Sequence, residues 1–380
     1  MTAVHVGARW RTAPGGGQEE VNVFNNVPIP AKFLPIVRSA RIALAHSAMK
    51  NALVTGGAGF LGSAIVKELL QEGVAVRILA LPGEPRDNIK GLDVEVVQGN
   101  VLSPGDATRA VDGVDTVFHA AAIYKDYMAD PRPMYEVNLS GTVHVLEAAR
   151  HAAVERVVYT ASIVALGRPA PGQLGTEETA YEAWDVDFPY SRSKWLSMML
   201  ALDFAKWGLD VRVVCPGVVF GPGDIGPTPS GKLIINVVSG KAGSGYTDGG
   251  SSYVDVRDAA HVHILAAKKG QAGQKYIATA HNLDNRQFIE AIGRASGRTA
   301  TLRKLPVWIV RPLIGIMARR AIRSGQDPMM TRAFFDYSVR PSFFDNRKSV
   351  TELGATYRPI EDSIRDAIEY FVGRGLLQRP

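Results

Sequence analysis

Cysteine is nearly absent from this chain of 380 residues: Cys215 stands alone. No intramolecular disulfide can form, and a reducing, cytoplasmic setting fits. Cys215 follows the apolar run 211–214, where a thiol reads as buried and inert rather than nucleophilic. Long apolar runs are missing too. The nearest to a membrane span, 305–318, is interrupted by Arg311 and Pro312. Blocks of like charge are also missing. The net charge of +6 is spread along the chain, which argues against a nucleic-acid partner and leaves a mild preference for anionic ligands. No charged start with an apolar stretch behind it marks a signal peptide, and no metal is expected. An apolar content of 46% then describes an ordinary globular protein with room for more than one lobe.

One stretch organises the rest. Leu53, Val54 and Thr55 run into Gly56-Gly57-Ala58-Gly59-Phe60-Leu61-Gly62, and Ile65, Val66, Leu69 and Leu70 then recur at helical spacing. A strand, a glycine turn and a helix in that order give the glycines mechanical meaning. Gly56 permits the turn, Gly59 lets backbone approach a phosphate, and Gly62 lets the helix pack close to the strand. The helix N-terminus presents free N–H groups and a positive dipole end to a pyrophosphate. Glycine-rich turns are often only turns; the flanking strand and helix favour the dinucleotide reading.

Residues 1–48 do not read like the rest. Gly15-Gly16-Gly17 and several prolines break any period, and Met49 stands directly before the first strand. The segment is expected to be a loosely ordered extension, owed to a misplaced start codon. The rival reading is an amphipathic arm in which Phe33, Leu34, Ile36 and Val37 cover a groove.

From 52 onward the text alternates. Strand-like runs fall at 74–81, 94–97, 116–120, Arg156–Thr160 and 211–215, with helical stretches between them at 141–151 and 191–207. Such alternation predicts an α/β Rossmann-type doubly wound parallel sheet. Its ligands bind beyond the C-terminal strand ends, here 55–62, 119–124, 160–167 and 215–223. The NAD(P)-binding Rossmann domain is expected over 49–225, with 253–268 returning to it as a short strand and a helix. The alternation decays after Pro222, where 232–239 reads as a short helix. Everything from 274 on reads as mixed, up to a helix at 361–372. A smaller C-terminal lobe, mainly 226–380, is expected to form most of the substrate pocket.

Tyr190 and Lys194 stand one helical turn apart and share a face. A tyrosine titrates near ~10 and is a reluctant acid or base at neutral pH; a neighbouring ammonium favours the phenolate and lowers that value. Ser162, just past a strand end, suits a hydrogen bond to a carbonyl or alcohol oxygen. Tyr and Lys at this spacing occur by chance in many helices. Their place behind a glycine-turn unit makes catalysis the better reading.

With the glycine turn, these residues and His119-Ala120-Ala121-Ala122, the chain resembles the extended short-chain dehydrogenase/reductase superfamily. Pro216-Gly217-Val218-Val219-Phe220-Gly221-Pro222-Gly223 and Tyr253-Val254-Asp255-Val256-Arg257-Asp258 extend the likeness over about 50–375. Within that superfamily it resembles the NAD-dependent epimerase/dehydratase family, its dihydroflavonol-4-reductase-like members and the hopanoid-associated sugar epimerases. Asn346-Arg347-Lys348-Ser349-Val350 and Glu352-Leu353-Gly354 match a C-terminal pattern of the last group. The resemblance implies hydride transfer at the nicotinamide, with Tyr190 as acid or base, Lys194 on the ribose hydroxyls and Ser162 orienting the reacting oxygen. It implies cofactor contacts from Gly56, Gly59, Phe60, Leu61, Gly62, Asn100, Val101, Ala120, Ala121, Asn138, Pro216 and Val219. Homodimers are common in the superfamily.

Two departures stand out. After the second strand, at Leu79-Ala80-Leu81-Pro82, neither the acid of NAD users nor the base of NADP users appears. Arg86 lies a few residues on; it reads as a partner for a 2′-phosphate or as a solvated loop residue, so NADP is the expected cofactor and NAD the alternative. Asn100 stands where an aspartate usually meets the adenine.

Ile163 and Val164 follow Ser162, so the acid pair of sugar dehydratases is missing. Tyr124, Val164, Leu166, Trp184, Phe188 and Val219 give the expected pocket an apolar edge, with Tyr124, Val164, Trp184 and Phe188 the substrate contacts. The expected function is therefore an oxidoreductase interconverting a ketone and a secondary alcohol on a small or medium apolar substrate. The alternatives are a nucleotide-sugar epimerase with tightly held NAD, its diphosphate on Arg168 and Arg257, and a non-catalytic NAD(P)-binding regulator. The stretch 305–320, with Trp308, Ile309 and Leu313 beside Arg319 and Arg320, reads as a helix packed on the core or as a weak membrane-surface contact for collecting a lipophilic substrate.

Overall fold

The computed structural model describes residues 49–182, 188–241, 245–298, 302–328 and 330–378; the 1–48 extension and Trp184 lie outside them. The described chain opens with β1 (Asn51–Thr55), the glycine turn, α1 (Phe60–Gln71), β2 (Ala75–Ala80) and β3 (Glu95–Gln98). Next come α2 (Pro104–Val111), β4 (Thr116–His119), α3 (Thr142–His151), β5 (Arg156–Thr160), α4 (Pro189–Lys206) and β6 (Val211–Pro216). Then follow β7 (Val218–Phe220), α5 (Pro229–Val238), β8 (Gly250–Asp255), α6 (Val256–Lys269) and β9 (Lys275–Ala278). The remaining elements used below are β10 (His281–Asp284), α7 (Asn285–Ala295), α8 (Val307–Arg323), α9 (Arg332–Ser338), β11 (Pro341–Ser342) and α10 (Ile360–Gly373).

Among the described residues, seven parallel strands form the main sheet in the order β9-β6-β5-β4-β1-β2-β3. The strand order reverses between β1 and β4. That switch point opens a crevice at the strand ends, bordered by the glycine turn and by the loop after β4. Side chains alternate across the sheet. Leu53 joins the core under α2, α3 and α4, while Ala52 and Val54 join the one under α1 and α6. Both faces are covered, which is why these strands read as continuous apolar runs. Each buried Leu, Ile or Val stabilises the fold by about 1.5–3 kcal/mol.

Two differences from the sequence reading concern the later chain. The segment β9, expected within a mixed stretch, is the edge strand of the main sheet and pairs with β6. Four residues are too short a run for the period of two to register. The strand expected near 253 is β8, which belongs to a second sheet with β7, β10 and β11; only the helix behind it, α6, returns to pack on the main sheet. Beside this second sheet, α5, α7 and α10 enclose a separate core of Phe220, Ile234, Tyr253, Phe288, Ile292, Ile364 and Phe371. Local signals set the helix starts: Ser103 caps α2 and Thr228 caps α5, each followed by proline.

Candidate active site

The chain leaves β1 into Gly56, whose φ of +69° is left-handed and whose Cβ, if present, would stand 3.0 Å from the Ala121 backbone nitrogen. A Cβ on Gly62 would lie 2.1 Å from the Gly56 carbonyl oxygen, so α1 can start this close to the strand only with glycine there. Gly59 differs. A Cβ on it would meet nothing but the Gly56 carbonyl, at 3.2 Å, and its outer side opens on space. Gly59 is also the N-cap of α1, and no side chain caps the helix. The first amides of α1, from Phe60 to Gly62, therefore present their N–H groups at a positive helix end beside an open glycine, a fit for the pyrophosphate of a dinucleotide.

The opposite wall is held by a buried hydrogen-bond chain. The Thr55 hydroxyl accepts from the Ala121 N–H (3.2 Å) and donates to His119 Nδ1 (2.7 Å). The Thr142 hydroxyl spends its proton on the Asn138 carbonyl (2.7 Å), so it accepts from His119 Nε2 (3.0 Å). Burial, and then the Lys194 charge, push His119 down to about 3; it stays neutral, with its proton on Nε2. Asn138 sits in the π-helical turn Glu136–Gly141 and was expected to line the cofactor channel. It is buried, with both ends of its amide in use. Its Oδ1 accepts from the Ile123 N–H (2.8 Å), while Nδ2 donates to the Ile123 carbonyl (3.2 Å) and to Ser193 Oγ (2.9 Å). Asn138 thus fastens the loop after β4 to α4.

On α4 the proline at N1 starts the helix immediately before Tyr190, and Lys194 follows one turn on. Lys194 is buried, its ammonium donating to the Thr160 carbonyl (2.6 Å) and to the Tyr159 hydroxyl (3.2 Å). The Thr160 hydroxyl in turn bonds His263 Nε2 (3.0 Å), whose other nitrogen bonds the Ala259 carbonyl (2.7 Å). Ser162 follows β5 by two residues, accepts from the Val164 N–H (3.4 Å) and stands close enough to Tyr190 to influence its phenol. The structure thus brings Ser162, Tyr190 and Lys194 together. One expectation needs correction. Lys194 and Ser162 do pull the Tyr190 phenol down, but burial is the largest influence and the net shift is upward. Lys194 is itself held below the ordinary lysine value by the same burial.

Around this group the Tyr124 ring stands edge-on to Tyr190, centroids 4.7 Å apart, and 44% exposed. Val164 is partly exposed beside Ser162. Leu166 and Phe188, expected at the pocket edge, are both buried, Leu166 in the main core and Phe188 against Phe334 and Tyr337 of α9. They back the wall of the site. Asp126, not singled out in the sequence, lies nearby with a buried Oδ1 that has no hydrogen-bond partner; burial pushes its carboxyl up to about 6.

Elsewhere on the crevice, Pro216 ends β6 and Val219 lies in β7, partly exposed. Val101 is buried in the core below α3. The Asn100 side chain accepts from the Leu102 N–H (2.9 Å) and so closes its own turn. A carboxylate does stand close to the end of β2, though not at the position expected from the family pattern. The Leu81 N–H donates to Glu84 Oε2 at 3.0 Å, and the Glu84 N–H returns to the Leu81 carbonyl at 3.1 Å. The Pro82-Gly83 turn folds that carboxylate back to the strand end, and this turn pair was the signal available in the sequence. Arg86 follows at the start of the short turn Asp87–Ile89.

Residues 52–279 match the NAD dependent epimerase/dehydratase family. A protein of Synechocystis sp. named as a dihydroflavonol 4-reductase is 30% identical, over 86% of this chain and 95% of its own. Sterol demethylase protein B of Methylococcus capsulatus is 29% identical, over 86% of this chain and 99% of its own. The crystal structure of gox2253 is similar at a TM-score of 0.78 and 32% identity, covering 87% of this chain and all (100%) of that one. This chain belongs to the NAD dependent epimerase/dehydratase family and is an enzyme of the extended short-chain dehydrogenase/reductase type.

Proposed function

We propose that this enzyme interconverts a ketone and a secondary alcohol on a small or medium apolar substrate, with Ser162, Tyr190 and Lys194 as its reacting group. The observation that carries the reading is the convergence of these three side chains at the strand ends, with the ammonium of Lys194 buried between α4 and β5. The glycine turn and the first amides of α1 would hold the dinucleotide pyrophosphate. When bound, the dinucleotide supplies or takes up the hydride. A phenol held above its ordinary value is protonated at neutral pH, so Tyr190 suits the role of proton donor to the oxygen of a ketone. Ser162 orients that oxygen. An ammonium has three N–H donors and Lys194 spends two on Thr160 and Tyr159; the third suits the ribose hydroxyls.

The competing epimerase reading needs cations for a diphosphate. Arg257 is clasped by Asp255 and Asp366, both at 2.7 Å. Arg168 donates to the carbonyls of Tyr337 and Arg340 and stacks over the Tyr337 ring. Neither is spare, which favours the reductase. The two relatives named above for a dihydroflavonol and a sterol also favour a lipophilic ring compound as substrate.

For the cofactor, Arg86 supports NADP, the sequence expectation, while the Glu84 carboxylate at the end of β2 supports NAD by accepting from a ribose hydroxyl and repelling a 2′-phosphate. Glu84 is hydrogen-bonded to the residue that follows β2, and we take NAD as the better fit. Beyond the substrate, the partners proposed are a second copy of the chain, on the resemblance alone, and a membrane surface at 305–320. The test is turnover. NADH or NADPH should be consumed with apolar ring ketones and not with nucleotide sugars, and NAD that stays bound through purification together with epimerisation would overturn the reading.

A further inference from the structure

The helix α8 covers little and is covered by little. Of its 17 residues only Ala318 is buried. The positions turned inward, Val307, Val310, Ile314, Ala318 and Ala321, recur at helical spacing and are buried or partly buried. The rest of the helix surface carries large apolar side chains in water: Trp308 is 76% exposed, Met317 59% and Leu313 53%, as well as Ile309 and Ile316. A contiguous apolar face of this kind marks an interaction surface.

Charge narrows the partner. From Val307 to Arg323 the helix holds four arginines and no acid. Arg311 is clasped by Asp336 of α9, through bonds of 2.7 and 2.8 Å. Among the described residues, Arg319, Arg320 and Arg323, in the last two turns of the helix, make no ion pair. A second copy of the chain would meet this face with the same unanswered arginines. No helix among the described residues is long and apolar enough to cross a membrane, so an in-plane contact is the mode that suits α8.

The position of α8 gives the contact a use. Phe334 and Tyr337 of α9, the helix that Arg311 holds, pack edge-on against Phe188, two residues before Tyr190. Just past α8, Asp327 pairs with Lys125, the neighbour of Tyr124, at 3.9 Å. The helix α8 is therefore joined, through Arg311 to α9 and through the following Asp327, to the wall of the candidate active site.

We propose that α8 lies in the headgroup boundary of an anionic lipid surface, with Trp308, Ile309, Leu313, Ile316 and Met317 entering the apolar layer and Arg319, Arg320 and Arg323 meeting the lipid phosphates. The site then faces the medium in which an apolar substrate is dissolved. The lipid contact itself stands apart from the Tyr190 chemistry, and the experiment reads the two separately.

The full-length protein is floated with phosphatidylcholine vesicles made with or without phosphatidylglycerol. Wild type should float with the anionic vesicles and not with the neutral ones, and raised salt should release it. Arg319→Gln/Arg320→Gln/Arg323→Gln should lower the partition coefficient about a hundredfold, at roughly a factor of five per arginine. Trp308→Glu/Leu313→Glu should abolish flotation. Both variants should keep wild-type turnover of a water-soluble ketone, which shows them folded. No flotation of the wild type would overturn the proposal, as would equal flotation of the variants. A wild-type dimer that Trp308→Glu/Leu313→Glu dissociates would overturn it in favour of a second copy on this face.

Discussion

Lys194 Nζ lies 2.6 Å from the carbonyl oxygen of Thr160, the last residue of β5. This one bond ties α4 to the strand end two residues before Ser162, and so sets the spacing of the whole group. It also places a cation near Tyr190 whose pull on the phenol is opposed by burial. Removing the cation leaves only Ser162 to oppose burial. Lys194→Met should therefore lower kcat by about a hundredfold or more and move the rising limb of the oxidation profile, where Tyr190 must lose its proton, to higher pH. Measured kcat/KM against pH checks this; a profile that keeps its limb would deny Lys194 the role.

The two glycines at the start of α1 should separate fold from binding. Gly62→Ala forces a methyl to 2.1 Å from the Gly56 carbonyl, so the turn must open; a stability loss of about 1–3 kcal/mol is expected. Gly59→Ala meets only one atom, at 3.2 Å, and should keep its Tm while losing dinucleotide affinity, because its methyl enters the space proposed for the phosphate. Thermal melts beside a dinucleotide titration distinguish the cases. Equal affinity in Gly59→Ala and wild type would place the pyrophosphate elsewhere.

Glu84 and Arg86 should divide the choice of cofactor. Glu84→Gln keeps an oxygen for the Leu81 N–H but removes the charge that repels a 2′-phosphate. Its ratio of kcat/KM for NADPH over NADH should rise about tenfold, a change of ~1.4 kcal/mol. Arg86→Gln should lower the same ratio. No response to either substitution would move cofactor choice away from this loop.

His263 is buried and held down to about 4, first by burial, with Lys194 adding to it. The unfolded chain takes up that proton near 6.5 and the folded chain does not until about 4, so the native state loses stability as pH falls between those values. Gln offers the Ala259 carbonyl a donor and the Thr160 hydroxyl an acceptor without titrating. The stability difference between wild type and His263→Gln should therefore move against wild type by about 1.4 kcal/mol for each pH unit lost in that window. It should be constant above pH 7. Urea unfolding at several pH values tests it; a difference flat from pH 7.5 to 4.5 would mean that His263 titrates normally.

Much of the fold was legible because parallel strands buried on both faces leave apolar runs, and Arg156–Thr160 was read to the residue. The edge strand β9 was not, since four residues between a loop and a turn carry no period. Of the candidate site, the grouping of Ser162, Tyr190 and Lys194 was suggested by spacing and place. Thr55, His119 and Thr142 were not assigned a role, because their hydrogen-bond chain joins residues 64 and 23 positions apart. The fastening role of Asn138 was hidden for the same reason: its partners Ile123 and Ser193 lie on other elements. Glu84 was not weighed because it reaches the end of β2 only by folding back through Pro82-Gly83.

The central claim is that the Tyr190 phenol moves the proton between this enzyme and the oxygen of its substrate. Tyr190→Phe removes one oxygen and leaves the glycine turn, Lys194 and the ring contact with Tyr124 in place. With an apolar ketone that the wild type reduces, turnover should fall by a factor of about 10²–10⁴, while the dinucleotide Kd changes less than about twofold, well under ~1 kcal/mol. Turnover retained within a few fold of wild type would contradict the account.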